Sequence, residues 1–123
     1  MEKRQFERYS VQEGAIALIG NPMTMMGSII DVSRGGLSFQ YLTNHNTPNS
    51  FTELGILISG KAFYLDKIKY ETVSDTEMLD GGVGDLFPLR RCGVKFEQLT
   101  GEQKDKLDQF INSHGSEEFS TIQ

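Results

Sequence analysis

The sequence contains a single cysteine, Cys92, so no disulfide can close within the chain and a disulfide-stapled secreted fold is excluded. No apolar run approaches the roughly 20 residues that a membrane-spanning helix needs, so no membrane insertion is expected. The opening stretch, MEKRQFERYS, is charged and lacks an apolar h-region; no signal peptide is expected, and the cytoplasm is the expected location. Positive charge is in short supply: 12 Lys and Arg stand against 17 Asp and Glu, a net charge of −5. That balance argues against binding a nucleic acid polymer or anionic lipid through bulk charge. His45 and His114 lie far apart with no Cys or His cluster at metal spacing, so no metal site is expected. The carboxylates are scattered, and no set of nucleophile, base and orienting group is visible, which makes the expectation a binding module and not an enzyme.

What is present suits one soluble domain. The 123 residues are 37% hydrophobic and 24% charged, enough to bury a core without metals or disulfides. Residues 1–12 are polar, without clear period, and read as an N-terminal arm. Short β-like runs then alternate with turn signals: 15–19, 26–31, 37–42, 54–59, 62–73 and 91–99. In the fifth run Phe63 and Leu65 share one parity while Ile68 and Tyr70 share the other, so a bulge is expected near Asp66-Lys67. Residues 74–89 are acidic and glycine-rich and read as a mobile loop. In the last run Cys92, Val94 and Phe96 share a face opposite Gly93, Lys95 and Glu97.

The one strong helix signal follows. Thr100 with Gln103 forms a capping box, Leu107, Phe110 and Ile111 make an apolar stripe, and Gly115 is placed to end the helix in a left-handed conformation. Residues 116–123 read as a flexible tail. Six strands and one terminal helix, without βαβ alternation, predict a mainly all-β fold: a six-stranded antiparallel β-barrel spanning 13–115 with one C-terminal α-helix.

Two short motifs carry chemistry. Arg4 and Arg8 form an RxxxR in the arm; with Lys3 they make three cations against Glu2 and Glu7 on an otherwise acidic chain, which suits a small anionic partner. Asp31-Val-Ser33-Arg-Gly-Gly36 is a DxSxxG at the end of a predicted strand. Its plain reading is a turn in which Asp and Ser bond local backbone and Gly takes a positive φ. The same turn can also receive a ligand. Arginine forks to phosphate oxygens and to guanine O6 and N7. A carboxylate accepts from guanine N1–H and N2–H, a serine hydroxyl donates or accepts, and glycine leaves room.

The two motifs in this order, followed by Gly93-Val-Lys-Phe96 and an amphipathic helix, resemble a PilZ domain over roughly residues 3–113. The resemblance implies a six-stranded barrel acting as a bacterial receptor for cyclic di-GMP, with no further cofactor. It implies that Arg4 and Arg8 bind phosphates and guanine edges, that Asp31 and Ser33 contact guanine, and that Gly36 shapes the turn. Lys3, Arg34 and Gly35 stand beside them as further candidates. The expected output is a conformational change, an ordering of the arm, that signals to a downstream protein partner. The alternatives are a nucleotide-independent protein-interaction adaptor and a small barrel for single-stranded nucleic acid; the second needs a basic groove that the charge does not favour. Cys92 follows Arg90 and Arg91, which lower a thiol pKa, yet its strand parity predicts an inert buried side chain.

Overall fold

The computed structural model describes residues 7–11, 14–20, 24–42, 48–60, 63–78 and 89–117. The alternating runs become strands, each turning one parity inward. Strand β1 is Tyr9–Val11, β2 Ala15–Ile19, β3 Met25–Val32 and β4 Gly36–Leu42. A short 3-10 turn, Pro48–Ser50, leads to β5, Glu53–Ile58; β6 is Tyr64–Glu77 and β7 Leu89–Phe96. Helix α1, Gly101–His114, is followed by β8, Gly115–Glu117.

All pairings are antiparallel, in the order β2-β5-β6-β7-β4-β3, and β2 also pairs with β3, which closes a six-stranded barrel. Inside lie Ala17, Ile19, Phe39, Ile56, Ile68 and Cys92, with Leu107, Phe110 and Ile111 of α1 joining the same core. The apolar stripe of the helix therefore meets the barrel as its spacing predicts.

Two strands add to the predicted six. β2 pairs with β3 only over Met25–Ser28, which leaves the same edge of β3 open at Asp31 and Val32. An open edge offers unpaired backbone groups. β1 fills it, with Tyr9 opposite Val32 and Ser10 opposite Asp31, and β8 pairs with β1 in turn. So the arm is already strand at residues 9–11, and 116–117, read as flexible tail, are strand as well. Gly115 is not left-handed but extended, at φ −96° and ψ 149°, because it opens β8. A Cβ there would lie 2.9 Å from the Ile111 carbonyl oxygen and 3.0 Å from the Tyr9 Cβ, so close approach is the reason for glycine.

The loop expected at 74–89 is shorter than its composition suggests. β6 runs on to Glu77, with Ser74, Asp75, Thr76 and Glu77 opposite Gly93, Cys92, Arg91 and Arg90. Residues 79–88 lie outside the described residues.

The bulge expected at Asp66-Lys67 is present. Leu54 faces Ile68 while Ile56 faces Leu65, so Asp66 and Lys67 together oppose Gly55. Lys67 takes φ 59°, the only positive φ among the described non-glycine residues. The helix cap holds this strained turn. Gln103 Nε2 donates to the Asp66 and Lys67 carbonyl oxygens at 3.1 and 3.0 Å, its Oε1 accepts from Thr100 N, and Thr100 Oγ1 accepts from Gln103 N. The predicted capping box thus also fastens α1 to the barrel wall.

Candidate functional site

The DxSxxG segment spans the end of β3, a tight turn and the start of β4. Ser33 N donates to the Gly36 carbonyl oxygen at 2.8 Å. Ser33 Oγ accepts from Gly35 N at 3.1 Å, so the serine bonds local backbone as the turn reading requires. Phe96 N donates to the Gly35 carbonyl oxygen at 2.8 Å and ties the turn to the end of β7. The positive φ expected of a turn glycine is absent: among the described residues it occurs at Gly14, Gly20, Gly60 and Lys67. Gly36 is needed for another reason. It pairs with Lys95 in β7, and a Cβ on it would fall 2.1 Å from the Val94 carbonyl oxygen.

Asp31 owes its direction to a bulge. Ile29 faces Phe39 but Asp31 faces Ser38, so Ile30 is an extra residue. Uninterrupted alternation would turn Asp31 into the core with Met25 and Ile29. The extra residue moves it to the outer face and sends Val32 inside, fully buried. Ser38 lies between the inward Leu37 and Phe39 and shares the outer face with Asp31.

There the carboxylate is enclosed, its side chain only 11% exposed. Ser38 Oγ donates to Asp31 Oδ1 at 2.8 Å, and Arg91 Nη2 donates to Oδ2 at 3.1 Å. Arg91 Nη2 also lies 3.3 Å from Ser38 Oγ. Arg8 Nη1 stands farther off, 3.6 Å from Asp31 Oδ2. The structure therefore brings Arg8 of the first motif to Asp31 of the second. Lys3 and Arg4 lie outside the described residues.

Beside this cluster opens a cavity of about 890 Å³, a volume in the range of small-molecule sites. Arg8, Ser33, Arg34, Gly36, Lys95 and Lys104 are among the residues that line it. Arg34 Nε bonds Asp108 Oδ1 of α1 at 2.7 Å, so this cation bridges the turn to the helix. The arrangement can accept from a base edge through Asp31 and neutralise phosphates through the surrounding cations.

A model of the PilZ domain matches residues 2–113. The chain belongs to the PilZ domain family.

Solved PilZ structures share its fold. The PilZ domain of YcgR from Escherichia coli, determined with c-di-GMP, superposes with a TM-score of 0.69 at 16% identity, over 91% of both chains. MrkH, described as a c-di-GMP-dependent transcription regulatory factor, gives 0.70 at 10% identity, over 91% of this chain and 51% of MrkH. The MrkH–c-di-GMP complex of K. pneumonia gives 0.70 at 11% identity and 52% of that chain. The chain thus spans about half the length of MrkH. A search of curated proteins returned no match.

In this PilZ domain the turn residues Ser33, Arg34, Gly35 and Gly36 all reach the cavity, whereas Asp31 sits beside it, turned toward Arg91. Arg91, Ser38, Lys95 and Lys104 were not legible as site residues. Strand parity puts Arg91 on the face of Gly93 and Lys95, but the strand order that brings β7 against β4 is not written in local sequence. Cys92, which follows Arg90 and Arg91 in sequence, is buried; burial, and then the negative charge of Asp75, push its thiol up to about 12. The thiolate that neighbouring arginines would favour is therefore absent at neutral pH.

Proposed function

We propose that this chain is a cyclic di-GMP receptor whose site is the outer face formed by Arg8, Asp31 and the 33–36 turn, completed by Arg4. The observation that carries the reading is the meeting of the two motifs: an enclosed carboxylate held by Ser38 and Arg91, with Arg8 only loosely engaged at 3.6 Å. A loosely held arginine is free to turn to a phosphate at little cost, since exposed ion pairs contribute about 0–1 kcal/mol. Asp31 then accepts from guanine N1–H and N2–H while Arg4 and Arg8 fork to phosphate oxygens or a base edge. Ser33, Arg34 and Gly35 line the approach, and Lys3 adds positive charge.

Each charge-assisted bond contributes about 1.5–3 kcal/mol, and each residue ordered costs about 1–2 kcal/mol. β1 is already paired with β3, so residues 9–11 add nothing to that cost. We take the output to be contact with a protein partner through the surface so rearranged. Calorimetric titration with cyclic di-GMP, with an oligonucleotide as control, tests the reading. Saturable binding of the dinucleotide, lost in Arg4→Ala and in Arg8→Ala at unchanged melting temperature, is expected. Oligonucleotide binding without dinucleotide binding would overturn it.

A further inference from the structure

We propose that Arg91 is a positioning residue of this site, which sets its preference for guanine over adenine by holding the Asp31 carboxylate. The inference rests on the receptor reading above and concerns selectivity within it. A carboxylate enclosed to this degree is costly unless it is paired and hydrogen-bonded. Its tight partners are Ser38 at 2.8 Å and Arg91 at 3.1 Å, and these two touch each other at 3.3 Å, so the three side chains form a closed triangle. Arg8, the remaining cation, is the looser one and is the group the ligand phosphates recruit.

When Arg8 turns to the ligand, Arg91 becomes the sole cation left on the carboxylate. It keeps the Asp31 carboxylate aimed, and a carboxylate accepts hydrogen bonds through both oxygens. Guanine presents two adjacent donors, N1–H and N2–H, to such a group; adenine sets an acceptor at N1 against it and is bound less well. Arg90, the adjacent residue, cannot take this part. Its guanidinium bonds the Asp75 side chain at 3.0 Å and the Asp75 carbonyl oxygen at 2.8 Å, and it pairs with Tyr41, an inward residue. Consecutive arginines on β7 thus serve carboxylates on opposite faces. Arg91 reaches Asp31 diagonally across β4: Asp31 pairs with Ser38, Ser38 with Gly93, and Arg91 lies two residues from Gly93 on the same face. Such diagonal neighbours are within reach of long side chains.

The test is calorimetric titration of the wild type, Arg91→Ala, Arg91→Lys and Ser38→Ala with cyclic di-GMP and cyclic di-AMP at one salt concentration, with melting temperatures beside them. In Arg91→Ala the guanine-to-adenine preference is expected to fall about tenfold or more, through weaker cyclic di-GMP binding, as loss of one charged hydrogen bond implies. Cyclic di-AMP binding stays within about threefold, under the energy of one such bond. Arg91→Lys, which keeps the charge and a donor but loses the fork, restores part of the preference. An unchanged preference in Arg91→Ala, or equal weakening of both dinucleotides, overturns the proposal. If Arg91→Ala does not fold, Ser38→Ala decides: it removes the other tight holder of Asp31, and an unchanged preference there overturns the proposal too. A wild type that binds neither dinucleotide sinks the receptor reading itself, and one that binds both equally sinks the selectivity.

Discussion

At the scale of single residues, the site separates groups that hold the barrel from groups that are free to bind. Arg8 is 36% exposed and meets Asp31 at 3.6 Å, so Arg8→Ala should shift the melting temperature little. Its loss should weaken cyclic di-GMP by about tenfold to a hundredfold, the equivalent of one charge-assisted bond; titration and a thermal melt on the same sample check both halves. Gly36 is the opposite case. Gly36→Ala drives a Cβ against the Val94 carbonyl oxygen at 2.1 Å, and overpacking of that kind costs about 1–3 kcal/mol, visible as a lower melting temperature. The glycine of the motif is thus kept by strand packing, which its place in a DxSxxG does not reveal; the sequence suggested a positive φ, and only the register with β7 supplies the actual reason. Cys92 should resist thiol reagents at pH 8 until the protein unfolds, since it is buried and its thiol is pushed up to about 12. Rapid labelling of the native protein would show the core at that position to be open.

Two bulges at the scale of elements fared differently in the sequence, for one physical reason. At Asp66-Lys67 the inward parity switches between Leu65 and Ile68 across polar residues, so the extra residue leaves a mark in the hydropathy. At Ile30 it leaves none, because Ile29 and Ile30 are both apolar and either could face in. Yet the second bulge is the one that turns Asp31 outward. β1 and β8 were equally hidden: three residues each, they exist because β2 leaves part of the β3 edge unpaired. The Lys67 bulge allows two predictions. Lys67→Gly relieves a left-handed backbone that costs a side-chain-bearing residue about 1–2 kcal/mol, offset in part by the entropy of glycine in the unfolded chain, so a small rise in denaturation midpoint is expected. Gln103→Ala removes the bonds to the Asp66 and Lys67 carbonyl oxygens and half of the capping box, and should destabilise by about 1–2 kcal/mol in the same measurement.

On the whole-molecule scale, barrel closure between β2 and β3 gives a wall on which the candidate site groups, from distant parts of the chain, meet. The sequence already indicated that wall, through alternating runs and a capped terminal helix, because periodicity and capping are local. Which strands adjoin is not local, so the sequence does not place Arg91 and Ser38 beside Asp31. The core also sets an alkaline limit. Burial raises the phenols of Tyr41 and Tyr70 and the thiol of Cys92, with Asp75 adding to the rise at Tyr41 and Cys92. These groups stay protonated in the folded state while the unfolded chain loses their protons from about pH 8.5–10 upward. Folding is therefore favoured below that range and loses stability as pH climbs through it; a denaturation series from pH 7 to 11 should show the midpoint falling on the alkaline side.

The central claim is that cyclic di-GMP binds on the face where the two motifs meet. Chemical-shift mapping of the isotope-labelled protein tests it most directly, since it reads binding and location together. The account predicts saturable changes at Arg8, at residues 31–36 and along Arg91–Lys95, with β2 and β5 on the far arc of the barrel left in place. Changes confined to β2 and β5, or no change at saturating dinucleotide, would contradict it.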